Sequence, residues 1–385
     1  MITLNRPGIL LVSACFLISS YAQEDEYVIT RIKDHKDAVL SVAFSPDNQY
    51  LVSGGEDKML MIYDLNLHES AAKYTDNYFP PRAIHLSQVN HIFLGAGSDI
   101  KMVDLNNKTL AVYKGNATQI WSLGYAPERN KLTAGSYDYT IKVWDVATTE
   151  MELELVGHEK STLPVTFSPD EKYIVSGSLD RTVKVWNAKT GELLKTLERH
   201  TDNIYDIDFH PTGKYFASAS RDKTIRLWDF KTGEVLVTYV GHDKGILDIE
   251  FTPDGRHIVS ASIDGTMRVW QAKTGKMIYT FTGHEGMVNC IDINADGTLL
   301  ASGGEDAQII LWELSKKIFV EFAYYDEFHE KIESAGLYDP RRRGEKKEDY
   351  ELRMKKAGIK EKEILEDLYS RYIEELKNQS FGNGK

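Results

Sequence analysis

Histidine recurs at 35, 158, 200, 242 and 284, and an aspartate follows each one 22 positions later, at Asp57, Asp180, Asp222, Asp264 and Asp306. In the last four sets a serine lies between them, at Ser176, Ser218, Ser260 and Ser302, and a tryptophan closes the set at Trp186, Trp228, Trp270 and Trp312. Serine, histidine and aspartate are the residue types of a catalytic cluster built on an activated nucleophile. Four identical sets suit a structural role better than a single active site, because a satisfied buried network rigidifies and specifies each unit. The chain also lacks a G-x-S-x-G elbow, a phosphate loop, an H-E-x-x-H pair and paired cysteines for zinc. An enzyme, a cofactor and a metal site are therefore not expected.

The spacing of these residues defines the elements that must hold them. Tryptophan recurs at 144, 186, 228, 270 and 312, a constant step of 42. A period in the low forties ending in a Trp-Asp-like pair marks four-stranded propeller blades. Within one unit, Ile204 to Phe209 alternates as a strand, Pro211-Thr212-Gly213 turns, and Lys214 to Ala219 forms the next strand. Thr224 to Trp228 is the third, and Lys231-Thr232-Gly233 closes a hairpin before Val235 to Tyr239. The predicted fold is all-β, a seven-bladed β-propeller of four-stranded blades over residues 24–314, followed by an α-helical extension over 315–385.

Two blades depart from the pattern. The third has Asn116 in place of histidine and Ala134 in place of serine, so its network is broken. The second, from about Tyr74 to Asp104, has no matching histidine or tryptophan, and its Pro80-Pro81 pair cannot sit inside a central strand.

These motifs resemble the WD-repeat family. Gly157-His158, Gly241-His242 and Gly283-His284 match its Gly-His, and Trp144-Asp145 and Trp228-Asp229 match its Trp-Asp. Ser45-Pro46-Asp47 and Ser168-Pro169-Asp170 match its turn after the first strand. The resemblance implies that each His, Ser, Asp and Trp set is a buried hydrogen-bonded tetrad, and that the blades serve as a platform for other proteins. It also implies a narrow top face formed by residues three and five after each histidine position and one before each aspartate. The partner-binding candidates on that face are Trp121, Tyr137, Leu163, Leu179, Tyr205, Arg221, Leu247, Ile263 and Met287. An exposed apolar patch of this kind marks a protein-binding surface. Trp121 stands out, since the other five tryptophans occupy the repeat position and Trp121 does not. The alternatives are a small ligand or glycan in the central channel and, more remotely, an enzyme.

The two ends of the chain carry their own signals. Arg6, the apolar run Ile9 to Ile18 and Ser20-Tyr21-Ala22 read as a signal peptide over residues 1–22, cleaved before Gln23. Val12-Ser13-Ala14-Cys15 resembles a bacterial lipobox, which leaves a lipoprotein anchored through Cys15 as the alternative. An exported protein, periplasmic or secreted and of bacterial type, is expected. Contact with an envelope or membrane surface remains open. Cleavage leaves Cys290 alone, as buried strand filler.

With 58 acidic against 46 basic residues the formal net charge is −12, which disfavours nucleic acid. One or more proteins are the expected partners, without an obligate homo-oligomer. The strand Tyr27 to Ile32 is expected to close the ring on the last blade, with Phe319 to Ala323 as its competitor. In the extension, Ile364, Leu365, Leu368, Tyr369, Tyr372, Ile373 and Leu376 form an amphipathic stripe. Gly358 is expected to separate that helix from an earlier one around Glu345 to Ala357.

Overall fold

The computed structural model describes residues 27–75, 79–335, 346–379 and Phe381. The expected signal peptide and Cys15 lie outside the described residues. Seven antiparallel four-stranded sheets form the propeller. Blades 1 to 6 span residues 39–74, 81–113, 120–155, 162–198, 204–240 and 246–281, each running from an innermost to an outermost strand. Blade 7 takes its three inner strands from residues 288–313 and its outermost from Val28–Ile32.

Burial explains why the strands read as they do. Each second strand is covered on both faces by neighbouring blades, so Tyr215–Ser220 is buried at every position after its first. An outermost strand such as Leu193–Glu198 has one covered side and alternates between half-buried and exposed positions. The apolar clusters straddle blade boundaries: Val175, Val183 and Val185 of blade 4 pack with Ile204, Phe209, Phe216 and Trp228 of blade 5. The ring is therefore held by contacts between blades as much as within them.

Ring closure follows the expected strand. Val28–Ile32 runs antiparallel to Ile309–Glu313, with Val28 opposite Trp312 and Ile32 opposite Ile309. The competitor, Phe319 to Ala323, is helical instead. With the outer edge of blade 7 taken, Ile318, Phe319 and Val320 turn their side chains into buried packing. They belong to α1 (Lys316–Ser334), which is kinked at Tyr324. Pro81 is accommodated as the first residue of the strand Pro81–Leu86, where a missing N–H is tolerated. Gly54 lies against it, since a Cβ there would fall 2.2 Å from the Pro81 carbonyl oxygen.

The break expected at Gly358 is absent. α2 (Lys347–Asn378) runs through it as one helix. A mid-helix glycine costs only about 1 kcal/mol, and buried Ala357, Ile364, Leu368, Tyr372 and Leu376 hold the helix on either side. The extension packs on the propeller: Phe319 stacks on His257 at 4.2 Å, and the Tyr372 hydroxyl lies 2.9 Å from His257 Nε2. His257 opens its strand at the end of the blade opposite the His and Asp loops, so the helices occupy the lower rim. Among the described residues, no helix is long and apolar enough to cross a membrane.

Candidate functional site at the channel mouth

The repeated His, Asp, Ser and Trp residues meet as one network per blade. In blade 4, His158 Nδ1 lies 2.8 Å from Asp180 Oδ2 and Nε2 lies 2.8 Å from Ser176 Oγ, while Trp186 Nε1 donates to Ser176 Oγ at 2.9 Å. Blades 5, 6 and 7 repeat this with His200, His242 and His284. Blade 1 keeps His35, Ser53 and Asp57, with Tyr63 where the others have tryptophan.

An ionised carboxylate only accepts, so the imidazole N–H donates to it, the serine donates to the imidazole, and tryptophan donates to the serine. This is the order of a hydrolytic triad, without its access. The four histidine side chains of blades 4 to 7 are at most 1% exposed, and every serine Oγ already receives an indole N–H. Burial alone would raise the Asp180 pKa, but the His158 hydrogen bond and charge, with Thr182 and the Glu159 N–H, hold it well below the usual carboxylate range. Asp222 and Asp264 are held low in the same way. Burial lowers the pKa values of His158 and His200, partly offset by their aspartates.

Blade 3 replaces the network. Lys142 Nζ sits 2.9 Å from Asp138 Oδ2, and Trp144 Nε1 donates to the Lys114 carbonyl at 2.9 Å. Among the described residues Asn116 reaches only the Ser98 carbonyl, at 3.3 Å, and its own Oδ1 is buried without a partner there.

A different set of carboxyls stitches the inner strands together. Asp206 and Asp208 accept backbone N–H groups of Ile249 and Phe251 in the next blade, at 3.1 and 2.8 Å. Asp248 and Glu250 accept those of Ile291 and Ile293, at 2.8 and 2.7 Å, and Asp292 accepts that of Phe44 across the closure. Burial and mutual repulsion push these groups up, Asp208 and Asp292 to about 7 and Asp248 to about 6. Asp206 and Glu250 are raised well above the carboxylate range for the same reasons. None of the five is among the residues expected from the sequence, where acidic residues inside the apolar runs Ile204–Phe209, Ile246–Phe251 and Val288–Ile293 are their signal.

At the top of the channel the innermost strand of every blade carries a bulge or break in pairing just after its first residue. The displaced residues are Leu40, Arg82, Trp121, Leu163, Tyr205, Leu247 and Asn289. A bulge re-aims its side chain, and six of the seven line one cavity of about 270 Å³. Trp121, Tyr205 and Leu247 are thus brought together as candidates. Tyr137 joins them through its ring, edge-on to Trp121 at 5.7 Å.

The other candidates are placed elsewhere. Leu163 is 1% exposed, so it presents nothing to a partner. Pro164 interrupts the pairing beside it, and the Leu163 carbonyl is drawn against Gly135 of blade 3, where a Cβ would come within 2.5 Å. Arg221 is exposed, its Nε 3.9 Å from Asp202 Oδ2. Leu179, Ile263 and Met287 are half-buried in top loops and do not line the cavity. The broad exposed apolar patch expected across this face is accordingly reduced to a compact cluster around Trp121.

That cluster contains a residue the sequence reading missed. Arg82 holds the bulge position of blade 2, 42 residues after Leu40, and its guanidinium lies 4.9 Å over the Trp121 ring. Its Nη2 donates to Glu56 Oε1 at 2.7 Å. Cys290 is buried, and burial pushes its thiol up, as strand filler should be. Among the described residues no group of three or more His, Cys, Asp or Glu side chains could hold a metal ion.

Known proteins share this repeat. The chain is 28% identical over 176 residues to the periodic tryptophan protein 2 homolog of Dictyostelium discoideum, covering 43% of this chain and 19% of that protein. It is 24% identical over 119 residues to WD repeat-containing protein 82 of Drosophila melanogaster, 30% of this chain and 38% of the relative. It is 30% identical over 118 residues to the serine-threonine kinase receptor-associated protein of Gallus gallus, 30% and 33% respectively. The matches thus span between a fifth and two fifths of these relatives. All three are eukaryotic and lend no support to a secreted bacterial type. A profile described as "WD domain, G-beta repeat" matches residues 26–64, 107–145, 150–187, 191–229, 233–271 and 275–313. These segments cover more than half the sequence and, with the seven-bladed ring, show that the chain belongs to the WD40 repeat family.

Proposed function

We propose that this protein is an exported interaction scaffold that holds partner proteins across the top of its channel. The supporting observation is the Arg82, Trp121 and Tyr137 cluster: three large side chains that the repeat does not require meet at the channel mouth. Tryptophan and arginine dominate binding hot spots. The family and the relatives favour a platform, one of them being named for association with a receptor. Export rests on the signal-like residues 1–22 alone, and an intact mass beginning near Gln23 tests it. Crosslinking in the native compartment, with wild type and Trp121→Ala side by side, tests the surface. Capture should fall about tenfold or more in the variant, the usual cost of losing a hot-spot anchor, with an unchanged melting temperature. Tyr205→Ala and Arg221→Ala should act in the same direction. Loss of folding without selective loss of capture would remove the top face from consideration.

A further inference from the structure

We propose that the channel mouth is a receptor for a carboxylate presented by the partner, with Arg82 as the receiving group and Glu56 as an internal stand-in. The inference rests on the reading of the top face as a partner surface. Of the seven bulge residues, Arg82 alone is charged; the others are Leu40, Trp121, Leu163, Tyr205, Leu247 and Asn289. A guanidinium carries five N–H donors in a rigid fork. Among the described residues its hydrogen bond runs from Nη2 to Glu56, and its Nε is buried with no partner there. The fork is thus pre-set for an acceptor it does not have.

The surroundings favour an anion. The guanidinium carbon of Arg82 lies 4.9 Å from the Trp121 ring centroid, a contact that restricts the side chain before an ion pair forms. Leu40, Tyr205 and Leu247 line the same cavity beside polar groups, and a charge-assisted hydrogen bond is stronger than a neutral one. Glu56 sits on the top loop and is 38% exposed, against 21% for Arg82, so the carboxylate can swing out while the cation stays. A cationic side chain would fit worse. Asp206 and Asp248, which also line the cavity, are already committed to the Ile249 and Ile291 N–H groups and to each other. A basic residue in the cavity would also meet the like charge of Arg82.

The two signs of partner charge predict opposite mutational effects. The full chain is titrated with N-acetylglutamate amide as a side-chain carboxylate and N-acetylglycine as a terminal one. N-acetylglutamine amide and N-acetyllysine amide serve as the neutral and cationic counterparts. Binding is followed by the NMR signal of the Arg82 Nε–H. Removing the internal competitor with Glu56→Gln should tighten the carboxylate probes about fivefold, the equivalent of one exposed charged contact. Arg82→Gln should abolish their binding, and Arg82→Lys, which keeps the charge and the fold but loses the fork, should weaken it. The better of the two carboxylates identifies side chain or chain terminus as the source.

Binding of the lysine probe, tightened by Arg82→Gln, would overturn the proposal in favour of a cationic partner. Failure of both carboxylates to bind the Glu56→Gln protein would overturn it outright. Native partner capture that needs Trp121 but ignores both Arg82→Gln and Glu56→Gln would sink this inference while leaving the scaffold reading intact.

Discussion

In blade 5 a histidine, an aspartate, a serine and a tryptophan tie the top loops to the third strand; in blade 3 a lysine reaches the same aspartate position and the indole finds a carbonyl instead. Both blades bury their tryptophan completely, so the packing is the same while the polar solution differs. The regular blades 4 to 7 commit these four positions to a network within the blade. The irregular pair, blades 2 and 3, is where Arg82, Trp121 and Tyr137 stand. Individual chemistry thus collects where the repeat relaxes, because a position freed from the network can be given to something else.

The sharpest way to break this comparison is to delete the same residue from both halves. His200→Ala leaves Asp222 and Ser218 buried without their partner and should cost about 3 kcal/mol. Asn116→Ala removes only one long hydrogen bond and should cost well under about 1 kcal/mol. Denaturant midpoints of the two variants read the contrast directly, and equal losses would mean that blade 3 relies on Asn116 as blade 5 relies on its histidine.

A second contrast is pH. The channel carboxyls of blades 5 to 7 have pKa values raised above the ordinary 3.8, so the folded state binds more protons than the unfolded state between about pH 4 and 7. Their contribution is present in acid and is lost as pH rises through the folded values. With Asp208 at about 7, Asp208→Asn should gain about 1 kcal/mol on the wild type between pH 6 and pH 8. The lowered histidines act with opposite sign near pH 6.5, so the difference between the two proteins isolates the carboxyl. The tetrad aspartates, held low, lose their contribution only as pH falls below about 4. Parallel pH profiles for the two proteins would contradict the assignment.

The smallest expected effect comes from repairing blade 3. Asn116→His combined with Ala134→Ser should gain about 1 kcal/mol if the missing tetrad forms. Lys142 must then turn away from Asp138, as the equivalent Lys184 does by donating to Thr196 Oγ1 at 2.9 Å. Calorimetry on the double variant would show no gain if the Lys142 and Asp138 pair already does the same work.

How much of this was legible in the sequence varied with distance from the repeat. Seven blades, the tetrads and the closing strand follow from a fixed interval of 42, because a propeller blade is a local unit whose contacts sit at constant offsets. Trp121 was visible as the tryptophan out of register. Arg82 was hidden because its blade lacks the histidine and tryptophan from which offsets are counted. Leu163 misled because its offset is right while Pro164 disturbs the pairing beside it. Phe319 to Ala323 resembled a strand by its distance from Trp312, yet no edge remained for it; a free edge is a property of the closed ring, not of the segment. Gly358 failed as a helix end because α2 packs on either side of it.

The closing strand also sets an order of events. Val28 pairs with Trp312, a separation of 284 residues, although the two lie in one sheet. During synthesis the first strand can find its neighbour only after the rest of the ring has emerged. Until then the outer edge of the last sheet is bare and the early strand is unpaired, a state exposed to wrong pairing with other chains. Closure of so large a loop is slow compared with the hairpin steps inside each blade.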